Sequence, residues 1–388
     1  MRKKLVSTLL SVTLVAAMLV GCGSKAETTA ETAAPATETA EAADTTEAAA
    51  ETETAAPAAT GDMKFEIVSK GFQHQYWQAV LKGAQNKADE LGVTINFVGP
   101  NSESDIADQV QMLNNAINAK PAAIGLAALD TSACLDAIQT AKDSSIPIIG
   151  FDSGVPDAPE GAVLANCATD NYAAGELAAE NTYAAIKDTI AKASAPVRIG
   201  VLGQDATAES IINRGLGFID KMGELIKADG KTVTVEGNDK YVNDSKCEKT
   251  SGADVVIEVL VPAQVTSELS SIDCQTLLNK ADTIAVYGSN QHSGEAMVTA
   301  NENLNKFGTG EGKVVGVAFD SGAVIKAAVK DGTFLGAITQ APVAMGEALV
   351  QSLYDAASGN SVADVDTGCQ WYTADTMDSE EIAQNLYD

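Results

Sequence analysis

Hydrophobic positions along the chain fall into three regimes. Residues 5–20 form one apolar run, broken only by Ser7, Thr8, Ser11 and Thr13. Between Gly23 and Asp62 there is no aromatic residue and no Leu, Ile, Val or Met. From Met63 onward, short apolar runs alternate with segments of helical period. The runs at 65–68, 93–98, 122–128, 146–151 and 162–166 read as buried strands, and 76–91, 104–119 and 132–144 read as helices. In the second of these helices Ile106, Val110, Leu113 and Ile117 share one face. A second series begins with a strand at 197–203, a helix at 208–229 and a strand at 232–235. It continues through strands at 283–287, 314–319 and 334–339, with helices between them. Such alternation predicts an α/β fold of two Rossmann-like lobes, each a parallel sheet with helices on both faces.

The first two regimes read as an address rather than as fold. Arg2, Lys3 and Lys4 precede the apolar run, which at about 16 residues suits a secretory leader and is short for a membrane span. It ends in Leu19-Val20-Gly21-Cys22, which resembles a bacterial lipobox. That resemblance implies a signal peptide over 1–21, cleaved before a lipidated Cys22. Residues 22–62 then form a disordered Ala/Thr/Glu tether, because nothing in them offsets the entropy of ordering the chain. As a flexible coil the tether spans about 35 Å. Membrane contact is expected through the lipid alone, giving an extracytoplasmic, membrane-anchored lipoprotein.

Charge narrows the functions available. The chain carries 53 acids against 25 bases, a formal -28. A body this acidic repels phosphate backbones, which excludes nucleic-acid binding. With only two histidines, His74 and His292, a His-rich metal site is not expected. No Gly-x-Ser-x-Gly elbow, Gly-Lys-Ser phosphate loop or close Cys/His set occurs, so no metal, no cofactor and no catalysis are expected. Ligands of open α/β sheets sit beyond the carboxyl ends of the strands. The residues there are unusually polar: Gln73 to Trp77, Asp130, Asp152-Ser153, Asn290 to His292, Asp320 and Gln340. One such residue is ordinarily a helix cap; a polar residue after nearly every strand of two lobes points to a shared site. Carboxylates accept from hydroxyls, Arg donates paired bonds, amides do both, and aromatic faces pack on sugar C–H faces.

These residues carry a family pattern. His74-Gln75-Tyr76-Trp77 leads into Gly83-Ala84, followed by Ile146 to Asp152, Thr169-Asp170-Asn171 with Gly175, Arg214-Gly215-Leu216-Gly217-Phe218, Val314 to Asp320, and Gln340-Ala341-Pro342 with Met345-Gly346. In this order, over some 300 residues, the chain resembles periplasmic binding proteins of the ribose and galactose type, the sugar receptors of ABC importers. The resemblance implies a type I fold: lobe I from 63–168 plus 341–368, lobe II from 169–340 plus 369–388, joined by a three-strand hinge. It assigns ligand contacts to His74, Tyr76, Trp77, Asp152, Ser153, Arg214, Asn290, Asp320 and Gln340, with Trp77 as the better stacking ring. Ser153 stands where ribose binders have Arg, and His74 where they have Asn. The Gly99-Pro100 strand end and Phe151-Asp152-Ser153 are also similar to receptors for rhamnose and autoinducer-2.

The function implied is a monomeric receptor that hands a monosaccharide to an ABC permease. A receptor for a sugar-like signal molecule is the alternative, and a secreted glycosidase using Asp152 and Asp320 a more remote one. Relative to the compact ribose type, 239–262 looks inserted. Besides Cys22, five cysteines remain, and Cys247 and Cys274, which flank that stretch, are the expected disulfide pair if one forms.

Overall fold

The computed structural model describes residues 63–72 and 74–387. The expected leader, lipidation site Cys22 and tether, with Gln73 and Asp388, lie outside the described residues.

Lobe I opens with β1 (Lys64–Val68), α1 (Gln75–Leu91), β2 (Thr94–Val98), α2 (Ile106–Asn118), β3 (Ala123–Leu126), α3 (Leu135–Asp143), β4 (Ile148–Phe151) and β5 (Val163–Ala168). Strands β3 and β4 are buried at every position, as parallel strands covered on both faces must be. Lobe II follows with α4 (Asn171–Lys192), β6 (Val197–Leu202), α5 (Glu209–Ala228), β7 (Val233–Gly237), α6 (Asp239–Asp244), β8 (Val255–Leu260), α7 (Ser267–Leu278), β9 (Thr283–Gly288), α8 (Gln291–Leu304), β10 (Val315–Phe319), α9 (Ala323–Lys330) and β11 (Gly336–Gln340). The chain then returns through α10 (Pro342–Ala357) and β12 (Val365–Asp366) to β13 (Cys369–Tyr372) and α11 (Glu380–Ala383).

Two sheets result, ordered β12-β5-β4-β3-β1-β2 and β13-β11-β10-β9-β6-β8-β7. Every pairing is parallel except β11 with β13. The fold is thus the two-lobed α/β arrangement expected. The chain passes between the sheets three times, at 169–171, 340–342 and 367–369. Two helix crossings stand next to these passages, α1 on α10 and α4 on α5. Both depend on glycine: a Cβ on Gly83 would overlap the Val343 carbonyl, and one on Gly217 the Tyr172 carbonyl. The family motif glycines therefore set how closely the helices approach.

One expectation is refined and one corrected. The 239–262 stretch, which looks inserted in the sequence, is built into the sheet: it supplies α6 and β8, and β8 lies between β6 and β7 with both as parallel partners. Cys247 and Cys274 do not pair; all five cysteines described are free thiols. Cys274 sits in the core cluster with Leu277 and Met297, whereas Cys247 packs against the cluster of Phe218, Met222 and Val233. Those clusters take alternate residues of the same strands, Val201 in one and Leu202 in the other, so the two thiols lie on opposite faces of the sheet.

Candidate functional site between the lobes

The strand ends of both sheets converge on a narrow cavity of about 20 Å³. Its lining comes from both lobes: Lys70, His74, Tyr76, Trp77, Glu103 and Asp152 from lobe I, Ile211, Arg214, Asn290, Gln291, Asp320 and Gln340 from lobe II and its boundary. Eight of the nine expected residues are brought together here. Ser153 lies outside this lining; it is fully buried, and its Oγ accepts from the Ser210 backbone N–H at 3.2 Å, joining the lobes.

Two aspartates anchor the site from matching positions. Phe151-Asp152-Ser153 follows β4 and Phe319-Asp320-Ser321 follows β10. Both aspartates have left-handed backbone, with φ of 57° and 74°. Asp tolerates this conformation better than most side chains. Each stays tied to its sheet, Asp152 N donating to the Cys167 carbonyl at 3.1 Å and Asp320 N to that of Ile338 at 2.6 Å. The turn that ends each strand also aims its carboxylate into the cavity.

Around Asp152 gather Tyr76, whose hydroxyl donates to Oδ1 at 2.8 Å, and Lys70, whose Nζ is 3.0 Å from Oδ2. Lys70 also donates to Ser210 of lobe II at 3.1 Å. Burial disfavours the Lys70 ammonium, yet Asp152 and Glu103 overcome this and hold its pKa above the ordinary value. Around Asp320, Gln340 Nε2 donates to Oδ1 at 2.7 Å and the Gln291 backbone N–H to Oδ2 at 2.9 Å. Burial pushes the Asp320 carboxyl up, while Arg214 opposes it from 3.9 Å. Arg214 stacks 4.0 Å from the Phe319 ring centroid and donates through Nε to Asn171 Oδ1 at 2.8 Å. Its Nη2 is buried with no protein partner, as is Gln291 Oε1.

Glu103 accepts from Trp77 Nε1 at 2.7 Å and from Gln204 Nε2 of lobe II at 3.0 Å. Burial alone would raise this carboxyl; Lys70, His74 and those two bonds bring it down to about 2. Asn290 combines two roles: its Oδ1 caps α8 by accepting from Ser293 N, and its Nδ2 donates to Gln204 at 2.7 Å. Beside the cavity, burial and the neighbouring His74 lower the His292 pKa to about 4, and Ser270 bonds its Nε2 at 2.9 Å.

Lys70, Glu103, Ile211 and Gln291 were not among the nine expected contacts. Gln291 was marked as a polar strand-end residue, and the same rule reaches Lys70, two residues past β1. Glu103, five residues past β2, also falls within reach of the rule, but it is not among the strand-end residues named from the sequence.

Comparison with known proteins agrees with this geometry. Residues 65–361 match a family described as the periplasmic binding protein domain. A structure from Brachyspira murdochii, titled an ABC transporter, LacI family transcriptional regulator, is 32% identical, with a TM-score of 0.69, over 84% of this chain and 99% of that one. An ABC transporter solute binding protein from Agrobacterium vitis with bound D-fucose is 30% identical, with a TM-score of 0.68, over 84% of this chain and 100% of that one. A carbohydrate transporter solute binding protein from Agrobacterium radiobacter, in complex with D-arabinose, is 25% identical at a TM-score of 0.68, with the same coverage. A search of curated proteins returned no match. The chain belongs to the periplasmic binding protein family, in its ribose and galactose branch of ABC-transporter sugar-binding proteins. Among the described residues, no helix is long and apolar enough to cross a membrane.

Proposed function

We propose that this protein is a membrane-tethered receptor that captures a monosaccharide between its lobes and delivers it to an ABC permease, without catalysis. The observation that carries this reading is the cavity itself. Two carboxylates, Asp152 and Asp320, face each other from equivalent strand ends, with Arg214, Gln340 and aromatic side chains around them. Arg214 Nη2 is an unused donor and Gln291 Oε1 an unused acceptor on the same lining. A hydroxyl group satisfies both kinds. Tyr76 and Trp77 supply the apolar faces. All nine contacts expected from the sequence belong to the proposal except Ser153, whose role is to join the lobes.

A thermal-shift screen across pentoses, hexoses, deoxyhexoses and autoinducer-2 tests the reading. A stabilising shift with one or a few of these is expected, since ligand binding to the folded state alone raises stability. No shift with any of them at millimolar concentration contradicts it. The tether is tested separately. Cys22→Ala is expected to move the protein from the membrane fraction to the medium or leave its precursor unprocessed, and unchanged fractionation contradicts the lipid anchor.

A further inference from the structure

A second cavity, of about 750 Å³, adjoins the first. Three loops enclose it: 102–106 from lobe I, 204–207 and 261–266 from lobe II. Glu103 lines both cavities. Gln204, which bonds Glu103, lines the second and also accepts from Asn290, which lines the first. A relay of side-chain hydrogen bonds, Asn290 to Gln204 to Glu103, thus runs where the two linings meet. Side chains of this kind can exchange their mutual bond for bonds to a ligand oxygen.

The second lining differs in chemistry from the first. Ile106, Ala206, Val261, Pro262 and Val265 give it apolar walls. Glu103, Asp105 and Asp205 supply negative charge, and no Lys, Arg or His accompanies them in that lining. An anionic group would meet three carboxylates with no cation on this lining to offset them, whereas a neutral apolar group would bury surface. We infer that the site accepts a glycoside: a sugar ring in the first cavity carrying an uncharged, apolar aglycone that extends past Glu103 and Gln204 into the second. This rests on the sugar reading above and specifies its substrate class.

The test is calorimetric titration of the full chain with D-galactose, D-fucose and D-arabinose, the phenyl glycosides of each, and galactose 1-phosphate. The expected result is that at least one phenyl glycoside binds about ten-fold tighter than its free sugar, as burial of a ring implies, and that the phosphate binds no better than galactose. Ala263 lines the second cavity and is exposed, so Ala263→Trp fills the space without disturbing a core. This variant should keep the free-sugar affinity and lose the phenyl gain. Glycosides that bind no better than free sugars, or a gain that survives Ala263→Trp, overturn the inference and leave the monosaccharide reading standing. If free sugars and glycosides alike fail to bind, the sugar reading falls and the inference with it.

Discussion

Arg214 shows how a single side chain is prepared for a ligand. Phe319 supports its plane, Asn171 holds Nε, and Asp320 balances its charge, so the guanidinium is fixed before anything binds. A preorganised donor loses little freedom on binding. Arg214→Met keeps the packing stem and Asp320→Asn keeps the shape, but each leaves the other partner buried and uncompensated. Each is expected to weaken sugar binding by about 2–4 kcal/mol while the far-UV spectrum stays native. Wild-type affinity in both, measured by calorimetry, would remove this cavity from consideration. Acid sensitivity belongs to the same scale. His292 is held neutral down to about pH 4, so below its unfolded value of 6.5 the unfolded chain takes up a proton that the folded chain refuses. Stability should fall as pH drops from 6.5 to 4, by up to about 1.4 kcal/mol per unit from this group. Glu103 acts lower, its contribution being present above 4.5 and lost as pH falls toward 2. Denaturant unfolding between pH 7 and pH 4 checks this: His292→Asn should flatten the upper part of the slope, and an unchanged slope speaks against it.

At the level of elements, the helix pairs beside the passages do the positioning. Helix α5 carries Arg214 and crosses α4 at Gly175 and Gly217, where a Cβ would meet the Arg214 and Tyr172 carbonyls respectively. Gly217→Ala must push the helices apart, at about 1–3 kcal/mol. It should lower both the melting temperature and sugar affinity, and a melting temperature equal to the wild type would show that the crossing tolerates the methyl group. The strands were legible because a buried parallel strand is a nearly unbroken apolar run, as Ile148–Phe151 is. Helix α4 was not, since its Ala-rich sequence blurs the 3.6-residue period. The 239–262 stretch reads as inserted, although Val255–Leu260 within it is apolar save for Glu258. That glutamate belongs to an ion-pair cluster, 2.8 Å from Arg198 and 2.6 Å from Lys280, a partnership no local pattern reveals. The site was legible through the strand-end rule, which located Asp152, Asp320, Asn290 and Gln340. The rule also reaches Glu103, five residues past β2, but its bonds to Trp77 and to Gln204 of the other lobe are tertiary and no local pattern reveals them.

For the molecule as a whole, the lobes meet through polar contacts at the rim and within the site. Thr131 N donates to the Thr207 carbonyl at 3.1 Å, Gln291 to Gln75 at 3.0 Å, and Lys70 and Gln204 reach across as described. These contacts are hydrogen bonds, which water can replace when the lobes separate. Three neighbouring chain passages permit bending of one lobe on the other. A sugar bonded to Asp152 from one side and to Arg214 and Asp320 from the other completes its contacts only when the lobes are together, and so favours the closed arrangement. The direct test is small-angle X-ray scattering of the protein with and without a saturating amount of the sugar that gives the largest thermal shift. The radius of gyration should fall on adding the sugar in the wild type and stay constant in Asp320→Asn at the same concentration. Superimposable wild-type curves, with binding verified by calorimetry in the same samples, would contradict capture between closing lobes.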